Sequence, residues 1–276
     1  MSGSAHTSDS VLTSGWEMDR RPVEVVVISS QVAYGAVGNT ASARVLTEAG
    51  HRCVQLPTVL LGTLPHYPVL HGGPVPDEWL AGMLDDLLTL DALASLRFVL
   101  VGYLAHPGQA AIIADWFGRL RDAVPGVELV VDPAMGDDDV GLYTDPAVAA
   151  SYGEHLVPLA TGLTPNRFEL GLLTADAPRA SGIDGVFEAA AGLVRPGVWV
   201  VVTSATGGDA STVANAIVTA DGISTVQEHE RLPTAAKGAG DIFAATIVAS
   251  LLDGAELADA TARAGEAVTR AIAALR

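Results

Sequence analysis

Short, unbroken apolar runs set the terms for how this chain can fold. Glu24-Val25-Val26-Val27-Ile28 and Val198-Trp199-Val200-Val201-Val202 show no polar alternation. A strand of this kind has no face to offer water, so it belongs in a sheet covered on both sides, as parallel sheets are by their crossover helices. The pattern predicts strands at residues 24–29, 52–57, 98–102, 127–132, 162–164, 199–203, 212–219 and 222–228. Ala- and Leu-rich stretches between them predict helices at 38–49, 77–88, 107–123, 144–159, 167–173, 183–193, 239–252 and 256–275. The alternation reads as one three-layer α/β/α domain with a mostly parallel central sheet. The last two strands, split by Asp221-Gly222, read as a hairpin forming an antiparallel edge. No internal repeat or interdomain linker interrupts residues 23–276. Residues 1–22 are Ser/Thr/Gly-rich and read as a disordered tail. They lack the basic-then-apolar order of a signal peptide.

Composition narrows the function. The chain has 276 residues, 49% of them hydrophobic and 17% charged, which is ample for a large core. Its formal charge of −17 argues against nucleic acid and against an anionic membrane surface, both of which call for clustered Lys and Arg. No window is apolar and uncharged for long enough to span a bilayer, so a cytoplasmic protein is expected. The single cysteine, Cys53, rules out an internal disulfide, and its strand setting predicts a buried structural thiol. His66, His71, His106 and His155 lack metal-ligand spacing. Trp79, Trp116 and Trp199 fall in apolar segments and are expected in the core.

The segment Ala236-Lys237-Gly238-Ala239-Gly240-Asp241-Ile242-Phe243-Ala244-Ala245 carries the strongest chemical signal. Gly238 and Gly240 leave the backbone amides of the turn uncovered, and the helix that follows aims its positive end at the same point. Together they make an anion site. Asp241 stands at its mouth, placed to take a proton from a hydroxyl attacking a phosphate. Lys237, the only lysine in the chain, lies beside the turn. The bland alternative is an ordinary Gly-rich helix entry with a solvated lysine. In an open α/β sheet, ligands sit beyond the carboxyl ends of the strands, and four polar loops follow strands here. They are Gly102-Tyr103-Leu104, the loop from Asp132 to Asp137, Thr164-Pro165-Asn166-Arg167-Phe168-Glu169, and Thr203-Ser204. Asp132 and Glu169, at neighbouring strand ends, are candidates to hold a hydrated Mg²⁺. Their alternatives are a turn cap and a helix-dipole partner. Neither a Walker sequence nor the dinucleotide glycine pattern occurs; Gly35-Ala36-Val37-Gly38-Asn39-Thr40 has the wrong spacing.

These segments, taken in order with Ile28-Ser29-Ser30-Gln31-Val32-Ala33-Tyr34-Gly35, Asp132-Pro133-Ala134-Met135-Gly136 and Gly141-Leu142-Tyr143, resemble the ribokinase superfamily and, within it, the pyridoxal kinases. The resemblance runs from about Glu24 to the C-terminus and implies a ribokinase-like fold. It also implies transfer of the ATP γ-phosphoryl group to the 5′-hydroxymethyl of pyridoxal. On that resemblance Asp241 is the catalytic base, and Gly238, Ala239 and Gly240 form the anion hole. Asp132 and Glu169 organise Mg²⁺. Asn166, Thr203, Lys237 and Tyr143 serve the nucleotide, and Ser30 and Tyr103 serve the pyridine substrate. The loop spanning residues 136–141 becomes a flap over the nucleotide, with an Asp run that keeps it solvated. A homodimer is implied, and a monovalent-cation requirement stays open. Ala239 stands where Thr is common, and residues 58–67 lack a Ser-Asn-His-Thr run frequent in pyridoxal kinases. Two alternatives stay open: a kinase of hydroxymethylpyrimidine or a similar small compound, and a non-catalytic vitamer- or nucleotide-binding protein.

Overall fold

A computed structural model describes residues 19, 21–90, 92–174, 182–206, 211–222, 224–232 and 237–274. Of the tail expected over residues 1–22, all but Asp19, Arg21 and Pro22 lie outside the described residues, as do Ala236 and Leu275. The strands are β1 (Val25–Tyr34), β2 (Cys53–Thr63), β3 (Gly72–Pro74), β4 (Phe98–Val101), β5 (Glu128–Val131), β6 (Gly136–Asp137), β7 (Gly141–Leu142), β8 (Gly162–Leu163), β9 (Trp199–Val202), β10 (Thr212–Thr219) and β11 (Ser224–Glu230). The helices are α1 (Gly38–Glu48), α2 (Asp77–Thr89), α3 (Pro107–Ala123), α4 (Pro146–Ser151), α5 (Arg167–Leu173), α6 (Gly182–Ala191), α7 (Ala239–Leu252) and α8 (Leu257–Ala273). A π-helical turn, Tyr152–Leu156, continues α4.

The sheet order is β11-β10-β9-β8-β5-β4-β1-β2-β3. Strands β9, β8, β5, β4, β1 and β2 run parallel. Antiparallel strands close both edges, β10 and β11 at one and β3 at the other. Alternate residues of the central strands feed opposite layers. Val26, Ile28, Val99 and Val101 join the core that includes residues of α2 through α6, while Val25, Val27, Phe98 and Leu100 pack with α1 and α7. That two-sided burial is what the unbroken apolar runs required. A third cluster, built on Val201, Ile217, Phe243 and Ala264, joins the sheet to α7 and α8. No helix among the described residues is long and apolar enough to cross a membrane.

Several elements depart from the sequence reading. Strands β1 and β2 run past Ser29 and Pro57 as a paired extension, with a register shift between Ser29 and Gln31. Asn39, fully buried at the start of α1, spans the break by donating to the Ser29 and Leu56 carbonyls at 3.1 Å each. The helix expected over 144–159 is two pieces, α4 and the π turn. Trp116 is fully buried, but Trp79 is 61% exposed. It sits beside the Leu80–Leu84 stripe that α2 turns inward, so its own direction is outward. Cys53 is half-buried rather than enclosed, and burial pushes its thiol up.

Gly162 lies flat against an indole: a Cβ there would come within 2.2 Å of Trp199 Cζ2. Gly82, exposed on α2, has open space around it. Gly162→Ala is expected to lose roughly 1–3 kcal/mol by overpacking, and Gly82→Ala to gain up to about 1 kcal/mol of helix propensity. Urea unfolding of both variants checks this; shifts of the same sign would show that the indole contact does not govern residue 162.

Candidate active site

The loop preceding α7 begins with a conformation that only glycine accepts easily. Gly238 has φ +100°, and a Cβ there would come within 2.2 Å of the Ala36 carbonyl oxygen. This close approach sets the start of α7 against the start of α1. Asp241, in the first turn of α7, accepts hydrogen bonds from the Gly38 amide and from its own. Burial nonetheless pushes its carboxyl up to about 6, against the pull of those two amides. Asp241 lines a small cleft with Asp132, Ser29 and Gly102. Gly240 belongs to the same corner, since a Cβ on it would stand 3.6 Å from Asp132 Oδ2. Ala239 is half-buried and packs on the cluster beneath α7.

Asp132 follows the last residue of β5 and is 8% exposed. Its Oδ1 accepts from Thr164 Oγ1 at 2.9 Å. Burial, and then the charge of Asp241, push Asp132 up to about 7, while the Thr164 bond pulls it down. Glu169 is buried in the first turn of α5. Its Oε1 accepts from the amides of Met135 at 2.9 Å and Gly136 at 3.4 Å, and its Oε2 from that of Asn166 at 2.9 Å. Burial and the Asp132 charge hold Glu169 well above the usual carboxylate range even so.

The α5 start is a complete capping box. Asn166 Oδ1 accepts from the Glu169 amide at 2.9 Å while Glu169 answers to the Asn166 amide. The Asn166 Nδ2 donates to the Gly136 carbonyl at 2.8 Å, so the cap also holds the root of the β6–β7 hairpin. Thr203, just past β9, forms an isolated parallel bridge with Asn166. Ser204 beside it is the one non-glycine among the described residues with a positive φ, +50°. Such backbone strain gathers at working sites, and nothing in its sequence neighbourhood announces it. The hairpin tip is not merely solvated, because Asp138 Oδ2 pairs with Arg167 at 2.5 Å. Lys237 is exposed, and its charge reaches Asp137, where it opposes the upward push of burial. Tyr143 is 52% exposed; partial burial and the charges of Glu169, Asp132, Asp241 and Asp137 keep its phenol neutral.

Asp132, Glu169, Gly240 and Asp241 therefore converge, with Asn166 and Thr203 at one side. Ser30 is buried next to Gly38, where a Cβ on Gly38 would come within 2.2 Å of Ser30 Oγ, so it stands one residue removed from Asp241. Its neighbour Ser29 lines the cleft itself, a placement the sequence pattern did not distinguish. Tyr103 is half-buried at the end of β4, where burial pushes its phenol up.

The donor set fits a hydrated Mg²⁺. It consists of hard oxygens in a pocket whose raised carboxyl groups invite a cation. Among the described residues no group of three His, Cys, Asp or Glu side chains could cage an ion alone. Glu169 has both oxygens occupied by amides, whereas Asp132 Oδ2 accepts no hydrogen bond among the described residues. Asp132 is thus the group open to an ion or its waters, and Glu169 contributes through its field.

Comparison with known proteins bears on this arrangement. The family described as phosphomethylpyrimidine kinase matches residues 73–275. A pyridoxine/pyridoxal/pyridoxamine kinase from Bordetella avium is 44% identical over 95% of this chain and 89% of its own length. A pyridoxal kinase from Leifsonia xyli is 31% identical over 82% of this chain and 80% of its own. Among solved structures, the pyridoxal kinase of Leishmania donovani in complex with ADP and pyridoxamine aligns with a TM-score of 0.81. That alignment has 26% identity and covers 93% of this chain and 87% of the other.

The carboxylates leave a signature in stability. Because Asp132 has a folded pKa of about 7 against an ordinary 3.8, the folded state keeps a proton that the unfolded chain has released between those values. Its contribution is therefore full below about pH 4 and is lost as pH rises through about 7. In Mg²⁺-free buffer, Asp132→Asn is expected to be more stable than the parent at pH 8, by on the order of 1–3 kcal/mol. The gap should narrow toward pH 5. Chemical unfolding across that range tests it, and a gap independent of pH would remove Asp132 from the linkage.

Proposed function

Because the chain belongs to the phosphomethylpyrimidine kinase family, we propose that it transfers the γ-phosphoryl group of ATP to the 5′-hydroxymethyl of pyridoxal, and of pyridoxine and pyridoxamine. The observation that carries the reading is Asp241. It is a half-buried carboxylate poised near 6, set at a helix start whose glycine turn exposes its amides, with Asp132 and Gly240 beside it. Asp241 accepts the proton of the attacking hydroxyl as the oxygen–phosphorus bond forms. The amides from Gly238 to Gly240 face the phosphoryl oxygens, whose charge they stabilise. Asp132, supported by Glu169, holds Mg²⁺, which when bound neutralises charge on the nucleotide phosphates. Asn166 and Thr203 border the nucleotide phosphates, Lys237 adds a positive charge at the rim, and Tyr143 flanks the hairpin that covers them. Ser30 and Tyr103 contact the pyridine ring.

The family description also favours a second acceptor, hydroxymethylpyrimidine. The close relatives named for B6 vitamers favour the first. ADP release with Mg·ATP decides between them in a panel of the three vitamers, hydroxymethylpyrimidine and a blank. ADP release that no vitamer stimulates would overturn the reading.

The chain is also expected in solution as a cytoplasmic homodimer. Tyr34 (70% exposed), Val69 (63%) and the half-exposed Leu60 and Leu70 cluster on the β1–β2 extension and the loop before β3. Tyr34 and Tyr67 rings lie 6.0 Å apart there. A contiguous apolar rim of this kind is what a second copy covers. Light scattering should give about twice the 28.3 kDa chain mass; a monomer at micromolar concentration would reject it.

Asp241→Asn is expected to lower kcat by about 10²–10⁴-fold with the fold intact. In the parent, kcat/KM should fall as pH drops through about 6, since the base works only when deprotonated. Near-normal turnover in the Asn variant would remove Asp241 from the chemistry.

A further inference from the structure

Tyr152 is fully buried, yet its hydroxyl is committed to a segment fifty residues earlier in the chain. It donates to the Gly102 carbonyl at 2.6 Å, and the Leu104 amide acts on the phenol oxygen itself, opposing the upward push of burial. One phenol thus spans Gly102-Tyr103-Leu104, the turn that leaves the end of β4. The turn's other groups are also taken. The Gly102 amide donates to Ile28 O at 2.9 Å, and the Tyr103 amide to Ser29 Oγ at 3.0 Å. Thr58 Oγ1 donates to the Tyr103 carbonyl at 2.6 Å. The sheet ladder has ended at this point, and side chains from β1, β2 and the π turn replace it.

The position being held is exacting. Gly102 stands against the site with no room for a side chain: a Cβ would come within 2.5 Å of Ser29 Oγ and 3.9 Å of Asp241 Oδ1. The π turn, closed by the Val157 amide on the Tyr152 carbonyl at 2.9 Å, is where the clamping phenol arises. Inserted turns of this type recur at working sites. Among the described residues the hydrogen bonds of the nucleotide-side groups Asn166 and Thr203 go elsewhere, to Gly136, to Glu169 in the α5 cap and to each other's strand ends, while Tyr143 and Glu169 reach the Tyr152 phenol only through space.

We infer that Tyr152 is a positioning residue for the acceptor side of the reaction: by clamping Gly102-Tyr103-Leu104 it fixes the wall opposite Asp241 against which the vitamer's hydroxymethyl group is set. The inference rests on the kinase reading above. A wall displaced by a fraction of an ångström misplaces the acceptor and leaves the donor where it was.

Tyr152→Phe keeps the ring in its core and removes only the hydroxyl. With pyridoxal and ATP varied separately, kcat/KM for pyridoxal is expected to fall about tenfold. The KM for ATP should stay within about twofold. Thr58→Val should shift the same parameter, and Thr58→Ser should restore it. A merely structural role would lower the active fraction and depress kcat/KM for both substrates alike; that outcome, or no change at all, overturns the inference while leaving the function intact. Failure of the unaltered chain to phosphorylate any vitamer overturns the function and the positioning role together.

Discussion

Three carboxylates with little water around them, Asp132, Glu169 and Asp241, are the constraint from which the rest of this molecule follows. Burial favours the proton over charge at all three, and repulsion adds to it at Asp132 and Glu169. The fold answers with amides rather than with cationic side chains: two for Asp241 and three for Glu169, with a threonine hydroxyl for Asp132. Those amides come from the starts of α1, α5 and α7 and from the turn after β5. Bringing them together requires a parallel sheet whose strand ends all open on one side. The result is a corner in which negative charge is costly.

The glycines follow from the same demand. Gly238 lets α7 begin within reach of the Ala36 carbonyl, and Gly102 lets β4 end against Ser29 and Asp241. A side chain at either place would push apart the elements that meet at Asp241. These glycines are needed for close approach, and that is a stricter requirement than the flexibility usually credited to the residue.

Much of this was legible in the sequence because it is local. The spans of α3, α5, α7 and β10 follow from Ala- and Leu-rich stretches, an apolar β-branched run and a Gly-rich entry, and the observed bounds coincide with the reading. Asp132 announced itself at the end of an apolar run, and Asp241 at a Gly-rich turn leading into an apolar helix. What stayed hidden depends on partners distant in the chain. The β1–β2 extension lies beyond Pro57 and mixes Ser, Gln, Thr and Gly with apolar residues in no clear alternation, and it exists because each strand pairs with the other. The two-residue strands β6 and β7 are below the length at which periodicity has meaning. A π turn differs from an α turn by one residue and shares its apolar stripe, so residues 144–159 read as one helix. Trp79 misled because hydrophobicity says nothing of direction when a residue sits at the flank of a stripe. Ser29 and Ser30 are adjacent and identical, and only the sheet decides which of them faces Asp241.

The charge balance of the chain completes the physical picture. A protein of formal charge −17 that takes an anionic nucleotide cannot rely on its overall field, which repels the ligand. Its nearby cations are also engaged: Arg167 with Asp138, and Lys237 within reach of Asp137. The attraction must then be short-ranged and directional, arising from oriented amides at helix starts and from the cation that the buried carboxylates favour. Such a site discriminates by geometry more than by charge. A diffuse positive patch would hold any polyanion, whereas an amide cradle facing a raised carboxylate rewards only a ligand that brings phosphate oxygens, a divalent ion and a hydroxyl to the same corner. The clamp on Gly102 serves that selectivity from the acceptor's side, because a cradle fixed on one wall orients nothing unless the opposite wall is equally still.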